Sequence, residues 1–170
     1  NPTVTWATSN ASVATVSSAG LVTAVADGTA TITATSGSAS ATATVTVSQV
    51  AQSVTLSPTS VSFTSAGDTA TLVATVRDAA GNIISGATVT WVTSSSSVAT
   101  VSSAGLVTAV ADGTATITAT SGSASGTATV TVNQTAASIT LSPTSLSFAS
   151  SGDTATLVAS VRDAAGNIIS

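Results

Sequence analysis

The sequence predicts an all-β protein built from antiparallel sandwiches in tandem. Three observations carry that expectation: the composition, an internal repeat that returns at an offset of 85, and the period of the apolar positions. Of 170 residues, 35 are Thr and 31 are Ser; 43% are hydrophobic and only 5% are charged. Thr and Val favour extended chain because a branched Cβ fits a pleated surface better than a helical turn. The helix formers Glu, Lys and Met are absent, and Ala alternates with Thr and Val instead of recurring at helical spacing.

Composition also excludes several classes. Disorder accompanies low hydrophobicity and high net charge, and this chain has neither. No apolar run approaches the ~20 residues that span a bilayer, so membrane insertion is not expected. Six Asp and two Arg leave a charge of −4, with no basic patch for nucleic acid or anionic lipid. The absence of Cys removes disulfides and thiolate metal sites, and the absence of Lys removes Lys–Asn isopeptide cross-links. Stability is left to packing and hydrogen bonds.

The repeat dominates the chain. Thr5-Trp6 recurs as Thr90-Trp91, Asp27-Gly28 as Asp112-Gly113, and Val76-Arg77-Asp78 as Val161-Arg162-Asp163. Comparing each position i from Asn1 to Ser85 with position i + 85 gives 71 identities and 14 differences. The segment from Gly81 to Trp91 is continuous, whereas its second copy is divided between Gly166–Ser170 and Asn1–Trp6. Two readings of that phase stay open. The favoured one is a window of a longer continuous array, which needs no assembly step. The other is a subunit whose two half-domains complete one another between neighbours. Both imply head-to-tail, non-closing association with further copies of the same repeat.

Taken in order, one uninterrupted unit runs over 53–133, between linkers at 49–52 and 134–137. Residues 1–48 are the C-terminal part of one domain and 138–170 the N-terminal part of the next. Val54 and Leu56 alternate up to Ser57-Pro58, where Pro ends ladder donation. Val61 and Phe63 form a second strand, closed by Ser65–Asp68. Ala70, Leu72, Ala74 and Val76 form the buried face of a third. Asp78–Asn82 is a turn, with Gly81 suited to positive φ. Thr88–Val92 carries Val89 and Trp91 inward. Val98–Val101 and Leu106–Val110 flank a hairpin loop at Ser102–Gly105. Asp112-Gly113 turns the chain again before Ala115, Ile117 and Ala119, and Ser121–Gly126 forms the last turn before Ala128, Val130 and Val132. Seven or eight short strands about ten residues apart is the pattern of a sandwich. Its core anchors are Trp91 and Phe63, repeated as Trp6 and Phe148.

Val89-Thr90-Trp91, Ser97–Val101, Gly105-Leu106-Val107 and Gly113–Ala119 resemble the bacterial immunoglobulin-like domain, group 2. The stretch Val76–Asn82 also resembles the group 1 repeats of invasin and intimin. The resemblance covers the whole period in both copies. It implies tandem immunoglobulin-like sandwiches of a cell-surface or secreted bacterial, archaeal or phage protein, used as stalks, adhesin shafts or carbohydrate-contacting modules. It supplies no active site, since fold does not fix function.

The residue inventory argues against an enzyme. His, Cys, Lys, Glu and Tyr are absent, and Asp68, Asp78 and Asp112 fall in three different loops. No cofactor is expected. Asp78 with Asn82, and Asp163 with Asn167, are candidates for calcium because loop carboxylates and amide oxygens suit a hard cation. Each loop offers one carboxylate, so an Asx-type turn is the favoured reading. Arg77 and Arg162, the only cations, are read as solvated strand ends. Asn10-Ala11-Ser12 and Asn133-Gln134-Thr135 match the N-glycosylation pattern, which Ser95 and Ser48 break in the other copy.

The linkers contain neither Gly nor Pro, and such joints restrict bending. The expected molecule is a semi-rigid extracellular shaft or filament, each domain adding about 40 Å. The alternative is an adhesion module binding glycan or a host surface protein. Such sites display rim aromatics, and here the aromatics are assigned inward.

Overall fold

The computed structural model describes residues 3–169. The expected junction of Ser170 with Asn1 and Pro2 lies outside them. Sixteen strands and no helix occur among the described residues: β1 (Thr5–Thr8), β2 (Ala14–Val16), β3 (Val22–Ala24), β4 (Gly28–Ser36), β5 (Ala39–Val47), β6 (Ser53–Ser57), β7 (Ser60–Phe63), β8 (Thr69–Thr71), β9 (Val73–Arg77), β10 (Thr90–Thr93), β11 (Ala99–Val101), β12 (Leu106–Ala109), β13 (Gly113–Ser121), β14 (Ala124–Val132), β15 (Ser138–Ser142) and β16 (Val158–Arg162). They fall into two compact units. One comprises the residues up to Val54 with Thr75–Thr88 and Ser121–Ala124; the other comprises Thr55–Ala74, Val89–Thr120 and the residues from Ser125 on.

In the first unit β1, β4 and β5 form a sheet in that order, antiparallel throughout, beside the antiparallel hairpin β2–β3. The alternation of Thr with Ala and Ile in β4 turns the apolar set to one face. Ala30 and Ile32 of β4 are buried. Val13, Ala14 and Ala30 make a small core against which Val45 and Val47 pack. Ser36 pairs with Ala39, so the β4–β5 hairpin turns on two residues. Gly37 takes the positive φ of 61° that such a turn demands. Its repeat, Gly122 at φ 58°, does the same between β13 and β14. The loop expected over Ser121–Gly126 is therefore a two-residue turn, and strand resumes at Ala124. A positive-φ glycine lets the two long strands reverse without a wider connection.

In the second unit β10, β13, β14 and β7 form a four-stranded sheet, and β11, β12 and β8 a three-stranded one. Pairs β10–β13, β11–β12 and β12–β8 are antiparallel, whereas β14 meets β7 in parallel, Val132 opposite Phe63. Buried residues alternate along the strands. Val107 and Ala109 belong to β12, Ala115, Ile117 and Ala119 to β13, and Ala128, Val130 and Val132 to β14. Phe63 and Leu72 are buried with them. The strand expected to run unbroken from Thr69 to Val76 breaks at Leu72. Leu72 donates its N–H to Gly105 O at 2.9 Å, after which the chain leaves β12 and β9 pairs with β6 instead. One sequence strand thus serves two sheets. Farther along, β15 and β16 pair antiparallel, Ser138 opposite Arg162.

The four aromatic anchors are not equivalent. Phe63 is buried in β7, beside β14 in the same sheet, and Trp91 is half-buried against Gly105. Trp6 is 38% exposed and Phe148 53% exposed, which corrects their assignment as buried anchors within the described chain. The physical reason at Phe148 is that residues 145–148 have no strand beside them among the described residues, whereas β7 has β14. At Gly105 the backbone oxygen of Leu72 also comes up beside Trp91, whereas at Gly20 the three nearest atoms all belong to Trp6.

Candidate functional site at the joints between repeats

Strand stops at Val47 and resumes at Ser53, and stops at Val132 and resumes at Ser138. Side-chain hydrogen bonds gather at both joints, and one residue organises each. The backbone N–H of Gln49 donates to Oδ1 of Asp27, while its side-chain Nε2 donates to Oδ2 of Asp78 at 3.2 Å. In the next repeat the backbone N–H of Gln134 donates to Oδ1 of Asp112 at 2.6 Å, and its Nε2 to Oδ2 of Asp163 at 3.1 Å. A single glutamine therefore ties the Asp-Gly turn of its own repeat to the Asp–Asn loop of the following one. Both tethers of Gln49 lie in the first unit, and both of Gln134 in the second.

The Asp–Asn loop is itself a closed structure. Oδ1 of Asp78 accepts from the N–H of Ala80 at 3.0 Å and of Asn82 at 2.8 Å, and Oδ2 accepts from Asn82 Nδ2 at 3.2 Å. This is an Asx-type arrangement, in which a short carboxylate side chain caps the backbone two and four residues on. Arg77 completes it by donating from an η nitrogen to Gly81 O at 2.8 Å, and Arg162 does the same to Gly166 O at 2.7 Å. The arginines thus brace the turn instead of standing free at a strand end.

The second joint adds a further layer. The N–H of Ala66, in the loop after β7, donates to Oδ2 of Asp163 at 3.1 Å, and Asn167 Nδ2 donates to Ala66 O at 2.7 Å. Asp163 is 2% exposed as a result. Burial raises its carboxyl, but the side chains of Gln134 and Asn167 and the N–H groups of Asn167 and Ala66 outweigh that and hold it down at about 2. Asp78 is lowered as well, chiefly by the Asn82 side chain and then by its N–H.

These contacts place the sequence candidates. Asp78 with Asn82, and Asp163 with Asn167, come together as expected, but Nδ2 of each asparagine faces the carboxylate and N–H donors occupy its oxygens. Among the described residues no group of three or more acidic, His or Cys side chains gathers as a metal site. Asn10 is exposed, its Oδ1 accepting from the Ser12 N–H at 3.1 Å; Asn133 is exposed and donates its own N–H to Phe63 O. Beside the first joint lies a groove of about 390 Å³ whose lining includes Asp27, Gln49, Ile84, Ala87 and Ser121 and no aromatic residue. Sequence reasoning missed the glutamines. Their signal was present, since Gln49 recurs as Gln134 at the head of each linker while two of the other three linker positions differ.

The domain description "Bacterial Ig-like domain (group 2)" matches residues 1–47 and 50–132. The chain belongs to that family. Among solved structures, the surface layer protein SbsC (domains 1–6) is 28% identical over 98% of this chain and 24% of its own, with a TM-score of 0.47. The Escherichia coli adhesin FdeC is 22% identical over 87% of this chain and 55% of its own, TM-score 0.46. Yersinia pseudotuberculosis InvD is 22% identical over 99% of this chain and 62% of its own, TM-score 0.41. The bacterial Ig-like chain thus spans about a quarter of the SbsC structure it matches. No curated protein matches it. No helix among its described residues is long and apolar enough to cross a membrane.

Proposed function

We propose that this bacterial Ig-like chain is a non-enzymatic structural spacer of a cell-surface or secreted protein, in which successive sandwiches are held end to end by glutamine-bridged joints. The observation that carries this reading is the recurrence of the same two-ended bridge in both repeats, Asp27–Gln49–Asp78 and Asp112–Gln134–Asp163. A linker that only connected domains would not need an identical polar clamp at each passage. Linkers of four residues without Gly or Pro already limit bending, and the clamp removes further freedom. Its geometry suits a part whose task is to set distance.

The test uses spin labels on cysteines introduced at Ser18 and Ser103, equivalent exposed loop positions in successive repeats of a chain with no native Cys. The wild-type chain should give a narrow distance distribution, and the double variant Gln49→Ala, Gln134→Ala a broad one. Equal widths would defeat the proposal. An adhesive role would instead show itself as saturable binding of the unmodified chain to a glycan array.

A further inference from the structure

We propose that the joints also shield this chain from proteases that cut after Lys or Arg, because the loops that clamp successive repeats hold its only two such sites closed. Lys and His are absent, and Arg77 and Arg162 are the sole basic side chains. Each is followed directly by the Asp of an Asp–Asn loop, so the bonds at risk are Arg77–Asp78 and Arg162–Asp163.

A protease of this class must take the basic side chain into an acidic pocket and turn the carbonyl towards its nucleophile and oxyanion donors. It must also protonate the departing amide nitrogen. At Arg77 all three groups are engaged within the protein. The guanidinium donates to Gly81 O at 2.8 Å. The carbonyl oxygen accepts from the N–H of Gln52 at 2.8 Å, and the N–H of Asp78 donates to Asn82 O at 2.9 Å. Arg162 repeats the three contacts: its guanidinium donates to Gly166 O at 2.7 Å, its carbonyl accepts from the N–H of Ala137 at 2.8 Å, and Asp163 N–H donates to Asn167 O at 3.0 Å.

The residues that follow are held as firmly. Oδ1 of Asp78 accepts from the N–H groups of Ala80 and Asn82, which curls the chain back instead of letting it lie extended in a cleft. Depth is not the protection, since Ala79 and Ala80 are exposed, as are Ala164 and Ala165. Exposed loop tips of small residues are where proteases usually nick a domain. Here the loop is reachable but closed by its own hydrogen bonds. Cleavage must wait for the loop to open, and its rate follows the population of the opened form.

This property goes beyond the spacer reading and is tested separately from it, by digesting the folded chain with trypsin and following intact mass. Hydrolysis adds one water, leaving a carboxyl on Arg77 and an amine on Asp78. Each rate is divided by that of the same bond in chain unfolded in urea, which removes the effect of a neighbouring Asp on trypsin itself. Ser96 lies exposed in the loop between β10 and β11, and Ser96→Lys supplies a site outside the joints. In that variant the bond after position 96 should be cut first, while both Arg–Asp bonds persist in the same molecules. Asp78→Ala should speed cleavage after Arg77 about tenfold or more by removing a charged acceptor, with Arg162 still protected. Asp163→Ala should do the reverse, and in each variant the protected site shows that the fold survives. Cleavage after Arg77 or Arg162 as fast as after position 96 overturns the proposal, as does an Asp78→Ala chain cut no faster than the unmodified one. Either result leaves the spin-label widths, and with them the spacer reading, untouched.

Discussion

The indole of Trp91 lies over Gly105, so close that a Cβ at that position would sit 2.9 Å from its Cζ2 and 2.4 Å from the carbonyl oxygen of Leu72. The hairpin loop between β11 and β12, the strand break at Leu72 and the tryptophan are thereby one packing unit. Trp6 repeats the arrangement over Gly20, where a Cβ would meet the indole at 2.9 Å but no backbone atom closer than 3.4 Å.

Gly105→Ala should therefore destabilise the complete repeat by about 2–4 kcal/mol, from a φ of +80° that L residues avoid together with the backbone clash. Gly20→Ala, with a similar φ but only a movable side chain in the way, should cost about 1–2 kcal/mol. Urea unfolding followed by indole emission, in Trp6→Phe and Trp91→Phe backgrounds respectively, separates the two. Equal costs would mean that the Leu72 contact is unimportant.

Leu72 supplies a second measure of the same core. It is 1% exposed, and Leu72→Ala should cost about 2–5 kcal/mol. The neighbouring Val73 is exposed, and Val73→Ala should cost less than about 1 kcal/mol. A comparable loss at both positions in the urea midpoint would contradict the alternation described here.

Asp163 predicts an acid limb. Its folded carboxyl is held at about 2, below the 3.8 of a free Asp, so the unfolded chain binds the proton first as pH falls. The stabilisation is fully present above pH 4 and is lost progressively towards pH 2. Asp163→Asn should remove this part of the pH dependence, and Gln134→Ala should raise the Asp163 titration midpoint by deleting a donor. Carboxyl carbon shifts followed by NMR read both. An unchanged midpoint in Gln134→Ala would show that the amide does not bond the carboxylate.

Calcium should leave the protein unaffected, because the oxygens of Asp78 and Asp163 already accept N–H donors. At about 5 mM calcium, above the dissociation constants of extracellular calcium modules, the melting temperature should move by less than about 1 °C. A rise of several degrees would reassign the Asp–Asn loops as metal sites.

Much of this was written in the sequence because it is local and periodic. Alternation of Thr with Val, Ala and Ile set strand positions and their inward faces, Gly and Asp marked the reversals, and identity at an offset of 85 set the repeat. Short-range signals of that kind survive without knowledge of which strands meet. What they could not contain was long-range pairing: that β7 joins β14 in parallel, that the chain changes sheets at Leu72, and that the turn at Gly122 needs only two residues. Nor could they give Gln134 its role, since its partners Asp112 and Asp163 lie 22 and 29 residues away and meet it only when folded. The burial of Phe63 and the exposure of Phe148, within nearly identical sequence, make the same point. Composition determines which side chains seek cover, and tertiary structure decides which of them receive it, because burial depends on the strand opposite and not on the residue itself.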